Sequence, residues 1–257
     1  MSKMVLIAEA AAAQSDTLVR LSDEKLNHLR RVLRMDWDAP LLVADGAGRL
    51  LEGMLEECDG GGAIRLGAVR RTEPRPLPFE LVIALPKNTT MDWVVEKAVE
   101  CGVTRITPVV SCRCVVKPHQ GDAAKYVRRW QAIMDGAIEQ SEHLWRPSIA
   151  ASVSWSEFLS VPDSAYTKSF AFISELRAVV KSEAEALTET WKALERSRNH
   201  AVRLMLGPEG GFADQERSEL VEHGFIPLSL GTAVLRVETA VVAALTLARV
   251  IRAVSST

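Results

Sequence analysis

Two glycine-bearing turns near the C-terminal end of the chain carry the residue types best suited to binding a ligand. The first reads GPEGG over residues 207–211, and the second reads GTA over residues 231–233. Paired glycines let a backbone approach a flat ligand closely, because they carry no side chain. The first turn matches neither GxGxxG nor a P-loop, whose lysine offsets phosphate charge, so a nucleoside triphosphate is disfavoured as the ligand. Taken by itself, this turn is equally consistent with a tight connection that binds nothing.

One arginine lies beside the second turn in an unusual position. Arg236 comes where a long apolar helical pattern begins, although the positive end of a helix dipole disfavours cations. A locally unfavourable charge next to a ligand loop indicates a functional site. The alternative is an arginine that pairs with Glu238 or Glu209. The helical pattern itself, residues 237–250, is apolar nearly all round, which predicts burial on every side and a second subunit against one face.

Both turns follow short apolar runs, at 204–206 and 226–230, that predict buried strands. Tandem strand–turn–helix units place their loops at one edge of a parallel sheet, where α/β folds bind ligands. The alternation extends upstream and predicts helices on both faces of that sheet. Further strands are predicted at 79–85, 105–110 and 170–173, and helices at 91–101, 122–140 and 181–195. Ser154 and Glu157 form a capping box that predicts one more short helix.

The first part of the chain, residues 1–71, predicts a small β-barrel instead. Short strand patterns at 5–8, 17–20, 41–44, 50–55 and 63–69 are separated largely by tight turns, and Ser22 is positioned to cap one helix. Residues 71–78 carry three prolines in five positions, which predicts a linker. We therefore expect two domains, residues 1–73 and residues 74–257.

The bulk composition narrows the class of protein. The formal net charge is −2, so a nucleic-acid site must be a local basic patch. The cysteines lack the spacing of a zinc site and predict reduced thiols in a cytoplasmic protein without a metal; they are Cys58, Cys101, Cys112 and Cys114. No apolar run is long enough to cross a membrane, so a soluble protein is expected.

Basic side chains recur in the predicted barrel, in the linker and on the long predicted helix. Each cluster is more often a solvated surface than a phosphate contact, but together they make a composite RNA surface a reasonable hypothesis. Such contacts supply affinity without sequence choice. The clusters outside the barrel's helix are Arg70, Arg71 and Arg75, then Arg113 and Lys117, then Lys125, Arg128 and Arg129.

Several motifs resemble the RsmE family of SPOUT-class RNA methyltransferases. Residues 203–240, with GPEGGF followed by LGxxxLRxETA, are similar to the C-terminal half of the family. HLRRVLR at 28–34, LPK at 85–87, KAVECGV at 97–103 and EQS at 139–141 are similar to its other motifs. The resemblance covers nearly the whole chain. The first residues, and those that follow Ser141, depart from the family's usual pattern.

The resemblance implies a fold and an activity. The fold would be a PUA-like N-terminal barrel followed by a SPOUT α/β domain with a parallel sheet and a C-terminal trefoil knot. The protein would be a homodimer that binds S-adenosylmethionine in the knot. Its reaction would be methylation of uridine N3 in 16S rRNA of the small ribosomal subunit, near the decoding centre.

The resemblance also implies roles for particular residues. Arg236 would stabilise the uracil anion, and Glu209 would orient it or accept a proton. The implied cofactor-binding residues are Leu206, Gly207, Pro208, Glu209, Gly210, Gly211, Leu230, Gly231, Leu235, Arg236, Glu238 and Thr239. The implied RNA-binding residues are His28, Arg30, Arg31, Arg34, Lys87 and Arg113. Two alternatives stay open: a non-catalytic RNA-binding or ribosome-assembly module, and a nucleotide-binding α/β enzyme, which the missing phosphate motif disfavours.

Overall fold

The computed structural model describes residues 3–58, 60–87, 89–117, 120–160, 166, 168–172 and 182–254. The chain forms two compact units. The first contains Met1–Pro76 and Ile138–Arg146, and the second contains Leu77–Ala137 and Pro147–Thr257. The division after residue 73 stays a prediction, and no sequence pattern indicated that residues 138–146 belong to the first unit.

The first unit is built on a five-stranded sheet. Its elements are β1 Met4–Leu6, β2 Leu18–Arg20, α1 Asp23–Asn27, β3 Pro40–Ala44, β4 Arg49–Cys58 and β5 Gly61–Thr72. The strand order is β1-β3-β4-β5-β2; the β1–β3 pair is parallel, whereas the β2–β5, β3–β4 and β4–β5 pairs are antiparallel. Helix α1 opens with the Ser22 hydroxyl accepting the Lys25 N–H at 3.3 Å, as the N-cap prediction requires, and continues as a π-helical turn over His28–Val32.

The strands of this unit enclose one apolar core. Leu51, Gly53 and Leu55 are buried at alternate positions of β4, which is the period expected of a strand with one face in a core. Leu29 from the helical turn is fully buried among these strands. The prediction that the linker begins at residue 71 is wrong by two residues, because Arg71 and Thr72 pair with Leu50 and Arg49 of β4. The PUA-like character of this unit stays a prediction.

The second unit is an α/β structure with a seven-stranded parallel sheet. Its strands are β6 Phe79–Ala84, β7 Arg105–Val110, β8 Ser148–Ile149, β9 Val153–Ser154, β10 Lys168–Phe172, β11 Val202–Leu206 and β12 Phe225–Leu228. The strand order in the sheet is β12-β10-β11-β6-β7-β8, and β9 pairs with β7. Its helices are α2 Thr90–Glu100, α3 Ala123–Ser141, α4 Trp155–Ser160, α5 Glu183–Glu195, α6 Asp214–Glu222 and α7 Val237–Val254; the residues of α3 from Ile138 onward belong to the first unit.

The predicted alternation of strands and helices is confirmed, with small differences at element ends. The capping box forms: the Ser154 hydroxyl accepts the Glu157 N–H at 3.2 Å, and the Glu157 carboxylate accepts the Ser154 N–H at 2.8 Å. The strand predicted to end at residue 230 ends at Leu228, because Ser229 begins a turn. Residues 173 and 181, at the ends of two predicted elements, lie outside the described residues. The trefoil knot stays a prediction.

A buried carboxylate holds three central strands in register. Glu80 of β6 accepts hydrogen bonds from Arg203 of β11 and from Thr107 of β7. The Arg203 guanidinium also lies over the rings of Phe158 and Tyr166, at 5.5 and 4.7 Å. A slip of register would leave a buried charge without its partners, which costs several times an ordinary hydrogen bond. The carboxyl ends of these strands, and therefore the loops that follow them, are held in one alignment.

The last helix is buried on one side within the single chain. Val241, Ala244, Leu245, Ala248 and Ile251 are buried, which is the stripe expected of a helix packed on a sheet. Thr246 and Arg249 face outward, and Val250 is 43% exposed. The sequence predicts a second subunit against one face of this helix, so burial on every side stays a prediction.

Candidate active site

A cavity of about 410 Å³ lies between the two glycine turns, where β10 and β11 end. Its size is within the range of small-molecule sites. Of the predicted cofactor-binding residues, those that line it are Leu206, Gly207, Pro208, Glu209, Gly211, Leu230, Gly231, Leu235, Arg236 and Glu238. Gly210 and Thr239 are not among the lining residues. The structure thus brings most of the predicted set into one space.

Other lining residues were not predicted from the sequence; they are Phe172, Phe212, Ser229, Ala233, Val234, Val237 and Ala240. Phe212 directly follows the GPEGG turn, so its position in the chain could have indicated it. Phe172 could not have been found in this way, because it reaches the cavity from β10, which pairs with both β11 and β12. Together these residues make the walls largely apolar, which suits a flat organic ligand.

The second turn is held in its shape by buried hydroxyl groups. The Ser229 hydroxyl donates to the Gly231 carbonyl at 3.1 Å and accepts the Gly231 N–H at 3.3 Å. Thr190 of α5 donates to the Ser229 carbonyl at 2.7 Å. Gly231 has φ +105°, a conformation that residues with side chains rarely adopt, and an added Cβ would lie 3.0 Å from a Glu183 oxygen. The backbone conformation therefore favours glycine at this position, and the contact with Glu183 adds to that preference.

The first turn is held by the loop that follows β7. Arg113 Nη1 donates to the Gly210 carbonyl at 2.8 Å. The buried Glu216 carboxylate accepts the Cys112 N–H at 2.6 Å and the Ala213 N–H at 2.8 Å, so one side chain joins the two loops and caps α6. Gly210 does not line the cavity, but its carbonyl anchors this contact.

A layer of aromatic residues lies behind the first turn. The ring of Phe212 contacts that of Trp155, with centroids 5.9 Å apart. Trp155 Nε1 donates to Glu219 at 2.6 Å, and this hydrogen bond, with another from Gln215, holds the pKa of the Glu219 carboxyl below its usual value. The Phe212 ring, which lines the cavity, therefore packs against Trp155, whose N–H is already hydrogen-bonded to Glu219.

The carboxylates of Glu209 and Glu238 bind to the loop after β6 and to the first residue of α2, respectively. A Glu209 oxygen accepts the Lys87 N–H at 2.9 Å, and a Glu238 oxygen lies 3.4 Å from the Thr90 hydroxyl, which donates to it. These contacts tie three segments of the cavity rim together.

Arg236 is exposed and directly precedes α7, as predicted, and its carbonyl accepts the Ala240 N–H at 2.9 Å. Among the described residues, no ion pair or hydrogen bond of the Arg236 guanidinium is found. The alternative in which this side chain pairs with Glu238 or Glu209 is therefore wrong. A cation that lines a cavity without an internal partner is available to a ligand.

The predicted RNA-binding residues fall into two groups. Lys87 and Arg113 are exposed in the second unit, on the loops that contact the cavity rim. The others lie in the first unit and differ in availability. Arg30 is occupied, since its guanidinium donates to the Met35 carbonyl and lies 4.6 Å from the Trp37 ring. His28 Nε2 lies 3.9 Å from a Glu139 oxygen, whereas Arg31 and Arg34 are exposed.

The described residues were searched for metal sites, membrane-spanning helices and disulfide bonds. Within them, no group of three or more His, Cys, Asp or Glu side chains is placed to hold a metal ion. No helix in the same part of the chain combines the length and apolarity that crossing a membrane requires. The four cysteines are free thiols, of which Cys114 is buried and Cys112 is exposed.

Comparison with known proteins gives matches over nearly all of the chain. A family model described as an RNA methyltransferase domain matches residues 73–249. Ribosomal RNA small subunit methyltransferase E of a Synechocystis species is 32% identical over 232 residues, which are 90% of this chain and 72% of that protein. The protein of the same name from Mycobacterium tuberculosis is 30% identical over 226 residues, covering 85% of this chain and 80% of that protein.

Two solved structures with a bound cofactor share the fold. A Legionella pneumophila protein in complex with the cofactor SAM has a TM-score of 0.81 at 28% identity, covering 97% of this chain and 98% of that chain. Ribosomal RNA small subunit methyltransferase E of Neisseria gonorrhoeae, bound to S-adenosyl methionine, has a TM-score of 0.77 at 27% identity, with 98% of each chain covered.

Proposed function

The chain belongs to the ribosomal RNA small subunit methyltransferase E family of RNA methyltransferases, and from this membership we propose that it methylates 16S rRNA. The methyl donor is S-adenosylmethionine, and the target is N3 of a uridine in the small ribosomal subunit. The observation that carries the proposal is the cavity between the two glycine turns, lined by an arginine that has no partner among the described residues.

The cavity fits the proposed cofactor by its shape and by its chemistry. Its walls are largely apolar, and Leu206, Leu230 and Leu235 would cover the faces of the adenine ring. The glycines at 207, 211 and 231 leave backbone close to the ligand, and a Cβ on Gly231 would meet Glu183. S-adenosylmethionine carries no phosphate, which agrees with a turn that lacks the P-loop lysine. When bound, it supplies an activated methyl group on a sulfonium.

The residues of the chain would act on the uracil ring. N3 of uracil is protonated at neutral pH and becomes nucleophilic when it loses that proton. A cation beside the ring carbonyls stabilises the resulting anion, and we assign this role to Arg236. To Glu209 we assign the orientation of the base or the acceptance of a proton. One of its oxygens is already held by the Lys87 N–H, which leaves the other for that task. The target base must be unpaired or flipped to enter the cavity.

The proposed partner is the RNA of the small subunit. Lys87 and Arg113 are exposed beside the cavity rim, and Arg31 and Arg34 offer further cations in the first unit. Because most such contacts are to phosphate, affinity should fall steeply with salt. We further propose a homodimer in which the exposed side of α7 meets a second copy of the chain. The C-terminal knot, the PUA-like barrel and a cytoplasmic location belong to the same proposal.

A labelling experiment separates an enzyme from a non-catalytic RNA-binding module. The protein is incubated with S-adenosylmethionine labelled on its methyl group and with small ribosomal subunits that lack the modification. We expect label in the RNA with the wild-type protein and very little with Arg236→Ala. Retention of RNA on the protein without incorporation of label, together with no heat of cofactor binding in calorimetry, would favour the binding module instead.

A further inference from the structure

A second cavity of about 290 Å³ lies in the same unit. It is lined by Pro86, Asp92, Val116, Tyr126, Arg129 and Trp130, among others. None of these residues belongs to the predicted cofactor-binding or catalytic sets, and of the six only Arg129 is part of a basic cluster named in the sequence analysis, so the methyl-transfer reaction described above does not use them.

Two loops are shared between this cavity and the active site. The loop after β6 contributes Pro86 to the second cavity, while the next residue, Lys87, donates its N–H to Glu209 of the active-site rim at 2.9 Å. The loop after β7 contributes Val116 to the second cavity, while Arg113 donates to the Gly210 carbonyl at 2.8 Å. Because β7, β6 and β11 are successive parallel strands, both cavities lie at the carboxyl edge of one sheet.

The lining of the second cavity suits a nucleobase. The rings of Tyr126 and Trp130 are stacked, with centroids 5.7 Å apart and planes inclined by 30°. Trp130 is only 3% exposed and lies deep, whereas Tyr126 is half-buried. Arg129 is paired with Asp92 in the lining, and Lys125 and Arg128 are exposed on the same helix. Aromatic faces beside cations are the usual means of binding single-stranded RNA.

We propose that the second cavity is a subsite for an unpaired nucleotide that flanks the target uridine in the substrate RNA. The inference rests on the proposed function, because that function puts the target base in the neighbouring cavity. A base withdrawn for methylation leaves its neighbours without a stacking partner, and the exposed side of Tyr126 replaces that partner. Seating the flanking base would position the strand so that one uridine, and not the next, enters the active site.

The test combines substitutions in the protein with missing bases in the RNA and measures the binding affinity of each combination. Short fluorescent single-stranded RNAs with one central uridine carry an abasic residue at each flanking position in turn. Their affinities are measured by anisotropy in the presence of S-adenosylhomocysteine, for wild type, Tyr126→Leu, Tyr126→Phe and Trp191→Leu. Trp191 is the matched control, since it is an aromatic residue 42% exposed on α5 that lines neither cavity.

We expect the wild-type protein to lose about tenfold in affinity when one particular flanking base is missing. Tyr126→Leu should bind the intact RNA about tenfold more weakly and should no longer respond to that missing base. Tyr126→Phe and Trp191→Leu should behave as wild type. Calorimetric binding of S-adenosylmethionine should be the same in all four proteins, which shows that the fold and the active site are intact.

Equal sensitivity of wild type and Tyr126→Leu to every abasic position would overturn the subsite. The same conclusion would follow if wild type responded to no flanking position. Failure of the methylation proposal is distinguishable: absence of label in ribosomal RNA, with the binding measurements as expected, would remove the reaction and leave the nucleotide subsite supported.

Discussion

Replacement of Gly231 by alanine tests the strained conformation of the second turn and its coupling to cofactor binding. Gly231 has φ +105°, and a Cβ there would lie 3.0 Å from Oε1 and 3.3 Å from Cγ of Glu183. The backbone conformation alone costs a residue with a side chain about 1–2 kcal/mol. The contact with Glu183 adds to this cost, although Glu183 is exposed and its far end is able to move. The total strain is therefore about 1–3 kcal/mol.

This strain should appear in two measurements. If the turn keeps its shape, the free energy of unfolding falls by the whole strain. If the turn relaxes in the free protein, cofactor binding must restore it, and the Kd for S-adenosylmethionine rises about tenfold for each ~1.4 kcal/mol. We therefore expect Gly231→Ala to lower the unfolding free energy in urea, to raise the calorimetric Kd, or to divide the strain between the two.

Gly224 supplies a matched control. It has φ +80° with no atom within 4 Å of an added Cβ, and it does not line the cavity. Gly224→Ala should cost about 1–2 kcal/mol of stability and leave the Kd unchanged. The double variant Gly231→Ala/Glu183→Ala should recover the steric part of the loss. A Gly231→Ala protein with wild-type stability and wild-type Kd would refute the strain. A rise in Kd, which Gly224→Ala should not show, is the result that couples the turn to the cofactor.

Three further predictions concern the rest of the site. Arg236→Ala should keep the cofactor Kd but lower the rate of single-turnover methyl transfer about 10²–10³-fold, because a hydrogen-bond donor to the developing anion is lost. An equal loss of cofactor binding would contradict this role. Glu216→Ala should lower the unfolding free energy by about 2 kcal/mol or more, because the N–H groups of Cys112 and Ala213 lose their acceptor. Glu216→Gln should lower it less. Equal stability of the wild type and both variants would show that Glu216 does not hold the two loops together. Iodoacetamide near pH 8 should label exposed Cys112 before Cys101, because burial raises the pKa of the Cys101 thiol and lowers its thiolate fraction. Peptide mass mapping gives the order of labelling. The reverse order would be inconsistent with the packing of Cys101 against α7.

The residues that sequence reasoning placed correctly are those whose environment is local. The glycine turns, Arg236 and the start of α7 follow from strand, turn and helix patterns within a few positions. Phe172 was missed because its place in the cavity depends on β10 lying between β11 and β12, an order that no local pattern encodes.

Long-range hydrogen bonds explain a second difference. Residues 138–146 belong to the first unit, where Glu139 accepts the Leu6 N–H at 2.9 Å and pairs with Lys25. The periodicity of α3 predicts a helix and its apolar face, but it does not say which partner that face meets. The same holds for α7: its contacts within one chain bury one face, and its composition does not say what meets the other.

The identity of the methylated nucleoside decides whether the protein transfers a methyl group to uridine N3. Small ribosomal subunits that lack the modification are treated with the protein and S-adenosylmethionine, and their RNA is digested to nucleosides for mass spectrometry. We expect N3-methyluridine from one site in 16S rRNA, and far less of it with Arg236→Ala after the same reaction time. A methyl group on a ribose or on another ring atom, or no methylated nucleoside at all, would contradict this expectation.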